Sequence, residues 1–172
     1  MTLDEPKLWS PEGFRDDEWQ RGSADDVQAS NSQLILSLQD FLGLPESVQN
    51  DALPRLGVEI SSGEPLEPLL PFLDRLALIA LAFPAFSDGR GYSKATLLRT
   101  RYAYRGTLRA TGDVLIDQVS HMLRCGFSEL EVQNRITAER LTDGNTGTIP
   151  FYYQPAVSDT RPEKYAWRSV RL

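Results

Sequence analysis

The chain has 172 residues, 41% of them hydrophobic and 24% charged, with a formal net charge of −6. That balance suits one soluble globular domain with a real core and argues against general nucleic-acid binding. No apolar run reaches the ~18–20 residues of a membrane span, the acidic N-terminus resembles neither a secretory signal nor a transit peptide, and a single cysteine, Cys125, excludes an internal disulfide and favours a reducing, cytoplasmic setting.

Residues 1–31 are acid-rich and show no sustained period. They read as a leader, with a short strand or arm and anchors at Trp9, Phe14 and Trp19. From Gln33 the pattern changes. QLILSL (33–38) is an apolar run of strand length, and LGVEIS (56–61) alternates Val58 and Ile60 with polar neighbours, a second strand. GEPLEPLLPFLDRL (63–76) has a proline near its start, where a first helical turn tolerates it, but Pro68 and Pro71 predict a short, irregular helix. ALIALAF (77–83) is continuously apolar, as expected of a strand covered on both faces. SKATLLRTRYAY (93–104) places Ala95, Leu98 and Tyr102 at helical spacing after Ser93, a candidate N-cap. GTLRAT (106–111) is a short strand. DVLIDQVSHMLRC (113–125) is the clearest helix, with Asp113 as candidate cap and Gly126 as its stop. FSELEV (127–132) is a further strand, and QNRITAERL (133–141) a last helix.

Strands near residues 34, 57, 77, 107 and 128, with helices between, predict an α/β fold. Repeated βα units form a mainly parallel sheet of about five strands, open or like part of a barrel. Residues 32–143 make this core. Residues 144–172, rich in proline and aromatics, are expected to be extended, with Phe151, Tyr152, Tyr153 and Trp167 packing on the domain or on a neighbour. Exposed sheet edges would favour a homodimer or a partner.

In parallel sheets ligands bind beyond the carboxyl ends of the strands. Three loops fall there: 84–92, 110–113 and the turn after Val132, with Gln133, Asn134 and Arg135. The first holds FSDGRGYS (86–93), between a buried strand and a helix. Asp88, Gly89, Arg90, Gly91, Tyr92 and Ser93 of this loop, with Arg109 and Asp113, form a candidate site for an anion or a partner. The glycines permit close approach, the helix start presents free N–H groups, and Arg90 adds a planar charged fork. Two alternatives stay open: Asp88 pairs inward with Arg90 or Arg109, and Asp113 caps its helix.

The continuous stretch from Phe83 to Phe127, FPAFSDGRGYSKATLLRTRYAYRGTLRATGDVLIDQVSHMLRCGF, closely resembles the signature of a bacterial family called domain of unknown function 934. The shared pattern is F-x-x-F-x-D-G-R-G-Y-S, a leucine-arginine helix, G-x-L-R-A-x-G-D-V-L-x-D-Q, and R-C-G-F; YQPA at 153–156 also fits. One departure is Tyr104-Arg105 before Gly106, where members often carry a glycine-tyrosine pair. The resemblance implies an oxidoreductase role associated with sulfite reduction and sulfur assimilation, with sulfite reductase or another enzyme of that pathway as partner. It implies a pathway rather than a chemistry.

The residues themselves do not support a metal redox centre. A [4Fe–4S] cluster normally takes four thiolates, and this chain has one cysteine and one histidine, His121. DGRGYS lacks the third glycine of a dinucleotide fingerprint. Flavin sites often carry no short motif, so flavin stays open as a cofactor. Cys125 closes a helix, where a thiolate is disfavoured, and reads as structural. His121 lies four residues after Asp117, on a shared helix face. Two functions follow: an accessory, partner-binding protein of assimilatory sulfite reduction without its own metal centre, or a small α/β enzyme binding an anionic metabolite at the Asp88–Arg90 loop.

Overall fold

The computed structural model describes residues 2–147 and builds them around one sheet. In chain order come β1 (Thr2–Ser10), β2 (Gly13–Arg15), β3 (Trp19–Arg21), α1 (Ala24–Ala29), β4 (Gln33–Ser37), α2 (Leu38–Gly43), α3 (Glu46–Ala52), β5 (Leu56–Ile60), β6 (Leu78–Phe83), α4 (Arg90–Thr100), β7 (Thr107–Gly112), α5 (Ile116–Cys125), β8 (Glu129–Asn134) and α6 (Arg135–Thr142). Two short 3-10 turns, Leu53–Arg55 and Glu67–Phe72, complete the series, the second being the irregular segment that Pro68 and Pro71 predict. The aromatic, proline-rich residues 148–172 lie outside the described residues.

The strand order is β2-β1-β8-β7-β6-β5-β4-β3. From β3 to β8 every pairing is parallel, and β1 joins antiparallel to β8 and to β2. The fold is therefore α/β with a mixed, mostly parallel sheet of eight strands, curled into a half-barrel. The expectation of about five strands is corrected by three. The five expected strands are β4 to β8, and the additional ones are β1, β2 and β3 from residues 1–31. Strands β2 and β3 are three residues each, too short for an alternating pattern to show. The curl is visible in side-chain reach, because Arg21 on edge strand β3 touches Glu131 on β8, five strands away in the sheet.

The two faces of the sheet differ in chemistry. Leu34 and Leu36, Val58 and Ile60, Ile79 and Leu81, Leu108 and Ala110, Leu130 and Val132 point toward the helices and form the main core. Each large side chain buried there contributes about 1.5–3 kcal/mol. The alternate residues face the hollow of the curl. Ile35, Leu78 and Ala80 make a small apolar patch under Trp19, and the rest are charged or polar: Glu59, Arg109, Thr111, Glu129 and Glu131. Among the described residues no helix is long and apolar enough to cross a membrane.

Candidate functional site

The loop after β6 is tied down on both sides. The Asp88 N–H donates to the Ala85 carbonyl at 3.0 Å, and Gln118 of α5 donates to the Phe86 carbonyl at 3.2 Å. Arg90 turns inward, donating from Nε and Nη2 to the two carboxylate oxygens of Asp88 at 2.9 and 2.7 Å. Its Nη2 also donates to the Ser62 hydroxyl at 2.9 Å. Hydrogen bonds from Arg90, then from Ser62, hold the Asp88 carboxyl well below the usual carboxylate range. Lys94 donates to the carbonyls of Ser61 and Ser62 at 2.8 and 2.9 Å, fastening the loop after β5 to α4. The Arg90 side chain is nonetheless 62% exposed, so the pair sits at the surface.

Gly89 caps α4, which starts three residues before the expected Ser93 cap; Ser93 lies inside the helix and is exposed. Gly91 packs against the Phe83 ring, where a Cβ would come within 2.6 Å. Tyr92 packs on Phe83 at 5.0 Å and on His121 at 4.5 Å between ring centres, and burial raises its phenol to about 12. Asp113 does not cap α5, which begins at Ile116 with Leu115 in the cap position; its N–H donates to the Phe83 carbonyl at 2.8 Å. His121 stands 3.8 Å from Cys125 Sγ and 3.3 Å from Arg124, so its contacts run along α5 toward the C-terminus instead of back to Asp117. Burial raises the Cys125 thiol, and burial with nearby Arg124 lowers His121.

Arg109 is separate from this loop. It points into the hollow, is 0% exposed, and its fork is filled by two carboxylates. Nη1 and Nη2 donate to Asp17 at 2.7 and 3.0 Å, and Nε donates to Glu129 at 2.8 Å. Arg15 pairs with the same Glu129. Nearer the carboxyl ends, Nη2 of Arg21 lies 3.1 Å from Glu59 and 3.0 Å from Glu131, and the Thr111 hydroxyl donates to Glu59 at 2.8 Å. This upper cluster floors a cleft of ≈ 410 Å³ at the ends of β5 to β8, whose rim includes Ser61, Pro84, Gly112 and Gln133. Asn134, the other polar residue of that turn, caps α6 by accepting from the Thr137 N–H at 3.0 Å.

A larger hollow, ≈ 730 Å³, opens at the opposite, amino end of β7 and β8. Its central Arg99 donates to the carbonyls of Gly126, Tyr104 and Gly106. Those bonds tie α4 to the Gly126 stop of α5 and to the turn before β7, whereas the strand-end cleft lies where parallel sheets commonly hold ligands. Among the described residues no group of three or more His, Cys, Asp or Glu is placed to hold a metal.

Sequence reasoning placed the loop and missed the hollow. Glu59 reads as a polar neighbour of Val58 and Ile60, and Glu129 and Glu131 only as members of the FSELEV strand. Each alternates at strand period two with core residues on the other face, and Arg109 shares their face from β7. No curated protein matches the chain. The family described as Bacterial protein of unknown function (DUF934) matches residues 57–164, which take in β5 to β8, the Asp88–Arg90 loop and Arg109. On that match over more than half its length, the chain belongs to this family.

Proposed function

We propose that the protein serves assimilatory sulfite reduction as an accessory, partner-binding protein, in the setting the family signature implies, and that its contact face is the carboxyl edge of the sheet. The observation that carries the contact face is Phe86. Its ring is 53% exposed although its backbone is fixed by Gln118 and the neighbouring turn. Ile136, also exposed, begins α6 just past β8, two strands from β6. Exposed apolar anchors on a held loop, beside an arginine whose charge is already paired, suit a protein contact better than capture of a free anion. The test mixes purified protein with the sulfite reductase haemoprotein and measures association by gel filtration. Wild type is expected to co-elute, and Phe86→Ser to weaken association at least tenfold. Separate elution of the wild-type proteins would overturn the reading.

The strand-end cleft favours a second reading, a small α/β enzyme. Glu59 and Glu131 share one guanidinium there, and each carboxylate keeps acceptor capacity toward a ligand in the cleft. On this reading the ligand sits in the cleft, beside the Asp88–Arg90 loop. The absorption spectrum of freshly purified protein separates the two. A flavin or haem band favours the enzyme; a colourless protein that binds the haemoprotein favours the accessory role.

A further inference from the structure

The lower half of the hollow holds a balanced charge set. Arg15 and Arg109 are positive, and Asp17 and Glu129 are negative. Three of the four are fixed by strands: Arg109 on β7, Glu129 on β8 and Arg15 on β2. Asp17 alone comes from the connector 16–18 between the two edge strands. Its side chain is 32% exposed while the Arg109 side chain is fully buried, so Asp17 is the solvent-facing partner of Arg109. The connector is held through Asp17, whose carboxylate accepts from Arg109 and from the Trp19 N–H at 3.1 Å. Its flanking strands are three residues each, and Asp16, Asp17 and Glu18 crowd three like charges together. Beside it lies a small hollow of ≈ 170 Å³ lined by Leu8, Arg15 and Trp19 with these acids. When Asp17 leaves, the remaining set carries one net positive charge, and Nη1 of Arg109 loses its partner while Nη2 keeps Glu129 at 2.8 Å.

We propose that Arg109 is a binding site for a small oxyanion and that Asp17 is its internal stand-in, displaced with the connector when the ligand arrives. Asp17 meets the fork with two oxygens at 2.7 and 3.0 Å, the geometry that a carboxylate or a tetrahedral oxyanion such as sulfate also presents. The site is distinct from the Phe86 face, so it stands or falls apart from the partner reading.

The test compares full-length wild type with Asp17→Asn, titrated with sodium acetate, sodium sulfate or sodium chloride at matched ionic strength. The thermal midpoint of Asp17→Asn is expected to rise several degrees more in acetate or sulfate than in chloride. The salt that acts names the ligand geometry, and adding Arg109→Met is expected to remove the response. In wild type, hydrogen exchange gives a readout that needs no variant: the active oxyanion is expected to speed exchange at residues 16–20 at least threefold. A midpoint blind to both oxyanions in Asp17→Asn, an undiminished response without Arg109, or unchanged exchange at 16–20 in wild type overturns the proposal.

Discussion

Gly112 has φ +86°, and a Cβ there would lie 2.4 Å from the Phe83 carbonyl oxygen that also receives the Asp113 N–H. Gly112→Ala is therefore expected to cost about 1–3 kcal/mol through backbone strain and overpacking, read as a lower urea midpoint. Two ring groups nearby set the pH response. Burial lowers His121, so the unfolded chain takes up that proton first as pH falls, and stability drops as pH falls through the ordinary histidine range. Burial raises Tyr92 from 10.0 to about 12, so the unfolded phenol ionises first and stability drops as pH rises between those values. Thermal midpoints across pH are expected to lose the acid-side slope in His121→Gln and part of the alkaline slope in Tyr92→Phe, the rest belonging to Tyr104 and Cys125, which burial also raises. A slope undiminished by its own substitution would refute that assignment.

Among the elements, the edge strands are tied to the inner sheet by ions as well as by ladder bonds. Arg15 and Arg21 on β2 and β3, and Asp17 between them, reach Glu59, Arg109, Glu129 and Glu131 on the inner strands. Removing one member of a buried pair leaves an uncompensated charge. Arg109→Ala is thus expected to destabilise by about 3–5 kcal/mol in equilibrium unfolding, whereas Arg90→Ala, at an exposed pair, leaves the midpoint unmoved. Equal effects would contradict the division between a buried hollow and a surface loop. The strands from β4 to β8 were legible by different signals, QLILSL and ALIALAF as apolar runs and LGVEIS by alternation, and Gly126 stops α5 as expected with φ +101°. The inward charges were not legible as a site, because one strand cannot say whether its polar face meets water or another strand. The short edge strands were hidden for a related reason: pairing across the sheet, and not local pattern, makes Trp19–Arg21 a strand. The start of α4 was misplaced because Gly89, a cap without a side-chain bond, leaves less trace than Ser93.

The whole molecule is a curled sheet with helices over its apolar face and a charged hollow opening at the carboxyl ends of its parallel strands. This places the Asp88–Arg90 loop, Phe86 and the Glu59–Glu131 cleft at the same edge, while Arg109 lies beneath. Such an edge suits contact with a larger assembly, which we propose belongs to sulfite reduction. Deletion of the gene followed by growth on defined sulfur sources tests this most directly. The expected result is poor growth on sulfate or sulfite, full growth on sulfide or cysteine, and rescue by wild type but only weakly by Phe86→Ser. Growth of the deletion strain on sulfite at the parental rate would contradict it.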